Sequence, residues 1–276
     1  MIVREIQTKT LLSSVRQPDD WFGLRYNLNL YRGCQHQCIY CDTRSECYQI
    51  EDFEHEILVK ANALELLADE LPRKRVKGTI GTGSMNDPYQ PIELERNLTG
   101  RAMQIIARNR FPVHILTKSD LVVRDLDVIR EIAKVYAAVS FTITAADDGL
   151  SRQLEPGAPA TSKRLEAISK FSQAGIYTGV LLMPVLPFIE DTEENIRGVI
   201  RQTAEAGGKY VLAAMGLTLR DRQREYYYAA LDRNYPGLSQ RYRTAYGDRY
   251  HAEPPNSKKL YALVAEECSR LGLSTR

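Results

Sequence analysis

The stretch YNLNLYRGCQHQCIYCDTRSECYQI, residues 26–50, begins as a tyrosine-flanked strand and ends as a loop that holds four of the chain's five cysteines. Cys34, Cys38 and Cys41 are spaced C-x3-C-x2-C, and Cys47 follows after a short polar segment. The strand half recurs along the chain. KGTIGTG (77–83), PVHILTK (112–118), YAAVSFTIT (136–144), IYTGVLLMPVLP (176–187) and KYVLAAMG (209–216) are short, β-branched or wholly apolar runs, the composition of strands buried on both faces. Between them the apolar residues change to helical spacing. This predicts helices over Ile57–Leu71, Glu93–Asn109 and Arg124–Lys134, one starting near Thr161, and one after 187 that Asp191 or Thr192 would cap. Glu193 and Glu194 would then lie at the positive end of that helix's dipole.

Six strand-then-helix units are the pattern of a parallel sheet covered by helices, and six fit a partial (β/α)6 TIM-like barrel better than a complete eight-unit one. An open doubly wound sheet has the same alternation. The expected organisation is an N-terminal extension over 1–25, a barrel core over 26–216, and a C-terminal helical extension over 217–276 packed on the core.

Composition narrows the function. A hydrophobic content of 43% suffices for a substantial core, and a net charge of +2 is too small to announce a nucleic-acid binder by bulk charge. The longest apolar run, GVLLMPVLPFI (179–189), is too short to span a bilayer and contains Pro184 and Pro187. The first residues lack the continuous apolar stretch of a signal peptide, so the expectation is a cytoplasmic protein with no membrane partner. In a reducing compartment, clustered cysteines in odd number read as metal ligands rather than as a disulfide framework.

Parallel barrels carry their chemistry on the loops that leave the C-terminal ends of the strands, where the cysteine loop lies. Three thiolates can each hold one iron of a [4Fe-4S] cluster, whereas an electron-carrying cluster takes four. The missing ligand leaves one iron open, by the logic that separates catalytic from closed metal sites. S-adenosylmethionine can chelate such an iron through its amino and carboxylate groups. One electron from the cluster then breaks the carbon–sulfur bond and releases a 5'-deoxyadenosyl radical that abstracts hydrogen. The competing reading is a structural zinc loop with Cys47, His36 or His55 as fourth ligand, although zinc ligands come more often as two separated C-x2-C pairs.

With Tyr40 immediately before its last cysteine, the loop resembles that of radical S-adenosylmethionine enzymes, and most nearly the spore photoproduct lyase family. The resemblance continues through GTGSMNDPY at Gly81, LTKSD at Leu116, SFTITA at Ser140, EPGAPATSKRLEAISKFSQAGI at Glu155 and GVLLMPVLP at Gly179. It implies that Cys34, Cys38 and Cys41 bind the cluster and that Tyr40 borders it. It further implies that Asn86 contacts S-adenosylmethionine, that Lys118 pairs with its carboxylate, and that Thr142 and Met183 lie around the ribose and adenine. A reductant such as flavodoxin or ferredoxin would supply the electron. Read without the resemblance, Asn86 is a turn residue, Lys118 a solvated lysine, and Thr142 and Met183 core.

Two departures separate the chain from the lyase. Ser84 stands where the lyase has a hydrogen-donating cysteine, and Asp42 where it has a relay tyrosine. A serine O–H bond is too strong to give its hydrogen readily to a carbon radical, so thymine-dimer repair by the lyase's route is not expected. Cys47 is a candidate substitute donor; Cys268 reads as a small buried hydrophobe and His114 as a core histidine.

The segment LRDRQREYYYAALDRNYPGLSQRYRTAYGDRYHAE (219–253) is dense in tyrosine and arginine. Such interleaving suits stacking on unpaired bases and contact with phosphates. It equally suits amphipathic helices packing tyrosines onto the barrel. The sequence predicts a radical S-adenosylmethionine enzyme whose substrate it leaves undetermined, a nucleobase or nucleic acid being the first candidate. The alternatives are radical modification of a peptide or protein side chain, and a zinc-stabilised nucleic-acid-binding protein without catalysis.

Overall fold

The computed structural model describes residues 1–17 and 21–275. Six parallel strands, β1 (Leu24–Leu28), β2 (Thr79–Thr82), β3 (Val113–Thr117), β4 (Ala137–Thr142), β5 (Tyr177–Val185) and β6 (Val211–Met215), lie side by side in chain order. The order never reverses, so there is no switch point and the doubly wound alternative is excluded. A short strand, Leu12–Ser14, pairs antiparallel with β1 at the outer edge. Every residue of β4 is buried, as expected of a central strand covered on both faces.

The covering helices are α1 (Ala63–Arg73), α2 (Leu98–Arg108), α3 (Leu126–Ala133), α4 (Thr161–Gln173), α5 (Glu193–Glu205) and α6 (Ser257–Arg270). Each turns an apolar stripe inward at helical spacing: Leu67 and Leu71 on α1, Ala167, Ile168 and Phe171 on α4, Ile196, Val199 and Ile200 on α5. Thr192 is the cap of α5, its side chain accepting the Asn195 N–H at 3.2 Å. Helix α6 packs against α5 and β6, with ion pairs from Arg197 to Glu267 and from Lys259 to Glu193.

Several element boundaries differ from expectation. The predicted helix Ile57–Leu71 begins later, because Glu56–Lys60 is a strand. It runs parallel to Ile2–Ile6 and antiparallel to Tyr31–Arg32 in a separate three-stranded sheet, which buries Ile57, Leu58 and Val59. The predicted helix Glu93–Asn109 breaks at Asn97, whose φ of 45° is left-handed. A 3-10 segment, Asp120–Asp125, precedes α3, and an unanticipated helix, Asp148–Leu154, is capped by Asp147. Between β6 and α6 the chain forms the antiparallel pair Leu217–Thr218 and His251–Ala252 and the helices Asp221–Asn234 and Leu238–Tyr246. Among the described residues, no helix is long and apolar enough to cross a membrane.

Candidate active site

A cavity of about 530 Å³ opens where the C-terminal ends of the strands meet the cysteine loop. Its wall includes Cys34, Cys38 and Cys41 and all five residues expected to contact S-adenosylmethionine: Tyr40, Asn86, Lys118, Thr142 and Met183. Leucines 116 and 181 line its apolar side, and Ser84 and Asp42 also border it. Cys47 is exposed and lies outside this wall, and Cys268 is buried in the main core.

The cysteine loop is fastened on every side. Gln35 receives two ties from the β2 loop, its N–H donating to Gln90 at 2.8 Å and its side chain accepting the Ile92 N–H at 2.6 Å. The Gln37 side chain donates to the carbonyls of Cys34 and Phe53, both at 3.0 Å, and Thr43 donates to the Met85 carbonyl at 2.8 Å. Gly157 lies so close that a Cβ there would overlap the Gln35 carbonyl oxygen, which explains glycine at this position.

All three thiols are free. Burial pushes the Cys34 thiol up to about 12, opposed by the backbone N–H groups of Asp87 and His36, and burial drives Cys38 well above its ordinary value. Thiols in such a setting ionise when a cationic centre binds them, which is the chemistry of a cluster ligand. Among the described residues, no three His, Cys, Asp or Glu side chains gather tightly enough for a single metal ion. The three sulfurs instead border one cavity, an arrangement that suits one thiolate per iron of a larger cluster. Of the fourth-ligand candidates for zinc, Cys47 and His55 lie outside this wall, and His36 borders it with its ring turned to Asp87. His55 is exposed and paired with Asp52 at 2.8 Å, and the buried His36 lies 3.3 Å from the Asp87 carboxylate. The donor set therefore fits an iron–sulfur cluster with three protein ligands.

Around this set, Asn86 spends one amide N–H on the Tyr31 carbonyl at 2.8 Å, which fixes its orientation in the wall. The neighbouring Asp87 ties β2 to β3, accepting the Thr117 hydroxyl and the Lys118 N–H, both at 2.6 Å. Although burial opposes it, the charge of His36 and these hydrogen bonds hold the Asp87 carboxyl down at about 2. Lys118 is half-buried, and although desolvation opposes it, the neighbouring Cys38 and Glu155 push its ammonium's pKa up. Sequence reasoning missed Asp87 in the wall and Glu155 and Arg164 behind it. The first sits in SMND and the next two in EPGAPATSKR, stretches quoted above for their resemblance alone.

The tyrosine-rich segment is bound to the cysteine loop. Asp42 accepts Thr218 at 2.5 Å, Arg220 through two nitrogens, and Tyr48 at 2.9 Å. Asp221 accepts the Ser45 hydroxyl at 2.7 Å, Arg222 donates to the Arg44 carbonyl at 2.6 Å, and Gln223 donates to the Tyr40 carbonyl at 3.3 Å. Tyr227, Tyr228, Tyr242 and Tyr246 are buried in a second core that includes Cys38, Ile39 and Tyr40. Those four rings pack against protein, and Tyr250 is exposed.

The profile of the radical SAM superfamily matches residues 28–200. The chain belongs to this superfamily. As a radical SAM protein it resembles an uncharacterised protein of Mycobacterium tuberculosis, 34% identical over 248 residues, which cover 87% of this chain and 73% of that one. It also resembles the radical SAM Nalpha-GlyT isomerase of Pseudomonas phage M6, 25% identical over 156 residues, 56% of this chain and 32% of the phage protein. Among solved structures, a spore photoproduct lyase variant with bound AdoMet and dinucleoside spore photoproduct matches with a TM-score of 0.72. That match covers 98% of this chain and 80% of the other at 16% identity, a likeness of fold. Radical SAM membership implies an iron–sulfur cluster and S-adenosylmethionine.

Proposed function

We propose that this radical SAM protein cleaves S-adenosylmethionine reductively on a [4Fe-4S] cluster held by Cys34, Cys38 and Cys41, and abstracts hydrogen from a nucleobase or nucleoside. The observation that carries the reading is the sharing of one cavity wall by three free thiols and by Tyr40, Asn86, Lys118, Thr142 and Met183. When bound, the cluster supplies the electron and S-adenosylmethionine the 5'-deoxyadenosyl radical.

The chain's own residues do the rest. Lys118 offers a protonated ammonium to the cosubstrate carboxylate. Leu116, Leu181 and Met183 give the adenine an apolar wall, and Asn86 is pinned in a fixed pose. The segment Leu217–Thr218 closes the wall beside Asp42 and helps exclude water from the radical. Ser84 is no hydrogen donor to a carbon radical, so any hydrogen returned to the product comes from elsewhere. The nucleobase reading draws support from the dinucleoside in the lyase structure of the same fold.

The test is anaerobic incubation with S-adenosylmethionine and dithionite, with 5'-deoxyadenosine measured by chromatography. The protein as reconstituted forms it and Cys38→Ala does not. Single-stranded DNA or RNA should raise the rate and bind with salt-dependent affinity, weakened by Arg241→Ala. Stimulation by peptides alone would transfer the substrate to the protein class. Stoichiometric zinc without iron after anaerobic purification would leave only the binding-protein reading.

A further inference from the structure

Glu155 follows the helix Asp148–Leu154 and is 1% exposed, yet it stands behind the cavity wall. Its two oxygens are divided between partners. Oε2 lies 2.5 Å from Nη1 of Arg164, itself fully buried on α4. Oε1 accepts the Tyr40 hydroxyl and lies 3.9 Å from Nζ of Lys118. Arg164 extends the network, donating from Nη1 to the Thr142 carbonyl and from Nε to the Pro159 carbonyl, both at 2.8 Å. One carboxylate and its guanidinium thus touch three of the five residues expected to meet the cosubstrate. The backbone on either side grips the cysteine loop as well, through the Ile39 N–H to Leu154 and the Gly157 N–H to His36, both at 2.9 Å.

The unequal distances decide what this network does. At 2.5 Å the guanidinium is the carboxylate's hydrogen-bonded counter-ion, whereas an ammonium at 3.9 Å is beyond hydrogen-bond length and is attracted without being engaged. Had Lys118 closed on Glu155, the pair would have nothing left to offer a ligand. The Lys118 backbone is fixed separately by Asp87, so only its side chain depends on Glu155. Buried ion pairs contribute little net stability, which leaves positioning as the better account of why this one is here.

We propose that Glu155, with Arg164 as its counter-ion, is a positioning residue of the cosubstrate site. It holds the Lys118 ammonium at the wall without engaging it and so leaves that ammonium available to the carboxylate of S-adenosylmethionine. The inference rests on the reading of the cavity given above.

The test is calorimetric binding of two uncleaved nucleosides to the anaerobically reconstituted protein. S-adenosylhomocysteine keeps the carboxylate, and 5'-methylthioadenosine lacks it. Glu155→Gln should weaken S-adenosylhomocysteine about ten-fold or more, leaving iron content, helical signal and 5'-methylthioadenosine affinity unchanged. In a Lys118→Met background the same exchange should cost less than about two-fold, because its effect acts through the lysine. The pair Glu155→Gln with Arg164→Gln removes both charges, so it keeps the test valid if the single variant fails to fold, and it should show the same selective loss. Unaltered binding by these variants, equal losses for both nucleosides, or an undiminished loss in the Lys118→Met background would overturn the proposal. Failure of the unsubstituted protein to bind either nucleoside would overturn the reading of the cavity, and the proposal with it.

Discussion

Glu190 is a carboxyl with no room to ionise. It is fully buried in the loop after β5, accepting hydrogen bonds from the Leu186 N–H and from Thr144, and burial pushes it up to about 8. The folded protein therefore holds this proton up to about pH 8, while the unfolded chain releases it near the ordinary value of 4.5. Between those limits the native state binds more protons, so stability falls as pH rises and levels off above the folded value. Glu190→Gln removes that loss: relative to the unsubstituted protein it should gain about 2–5 kcal/mol on going from pH 5 to pH 8 in urea unfolding. Parallel pH profiles would contradict this. Glu190 also shows what is illegible in a sequence. Cys34, Cys38 and Cys41 announce themselves because ligand spacing is local, but Glu190 and Glu155 are ordinary acidic residues until tertiary packing buries them. Asp42 and Arg220 pair across 178 positions, and nothing local to either marks the other.

At the scale of elements, the cysteine loop depends on two neighbours. One is the strap Arg220–Gln223, whose four consecutive side chains all bond to the loop. Arg222→Ala removes donors to the carbonyls of Arg44, Ile50 and Glu51, and should cost about 1–3 kcal/mol and shorten the retention of iron in air. The other neighbour is the turn at Gly157. Gly157→Ala forces a Cβ into the loop backbone at Gln35 and His36, so iron incorporation on anaerobic reconstitution should drop well below that of the unsubstituted protein. Full iron content in both variants would mean that neither neighbour matters to the loop. The six strands were readable because each is a short apolar run between turns. The strand Glu56–Lys60 was not, because ILVKANALELL reads continuously at helical spacing, and only pairing with Ile2–Ile6 and Tyr31–Arg32 draws its first part into a sheet. The tyrosines of 219–253 were equally ambiguous until burial of Tyr227, Tyr228, Tyr242 and Tyr246 settled how those four are used.

The molecule as a whole has a larger and a smaller core, and at the cavity the smaller one meets a separate apolar cluster that includes Leu116, Leu181 and Met183. The larger lies between the strands and their helices, and the smaller joins the cysteine loop to the helices Asp221–Asn234 and Leu238–Tyr246. The parallel order of β1 to β6 brings LTK of β3, SFT of β4 and LLM of β5 to the same end of the sheet, opposite the thiols. The central claim is that three cysteines leave one iron free for S-adenosylmethionine. Electron paramagnetic resonance of the dithionite-reduced protein, recorded with and without S-adenosylmethionine, tests it most directly. The account predicts a [4Fe-4S] signal that changes on addition of the cosubstrate and is absent in Cys38→Ala; a signal indifferent to S-adenosylmethionine, or no iron signal at all, would contradict it.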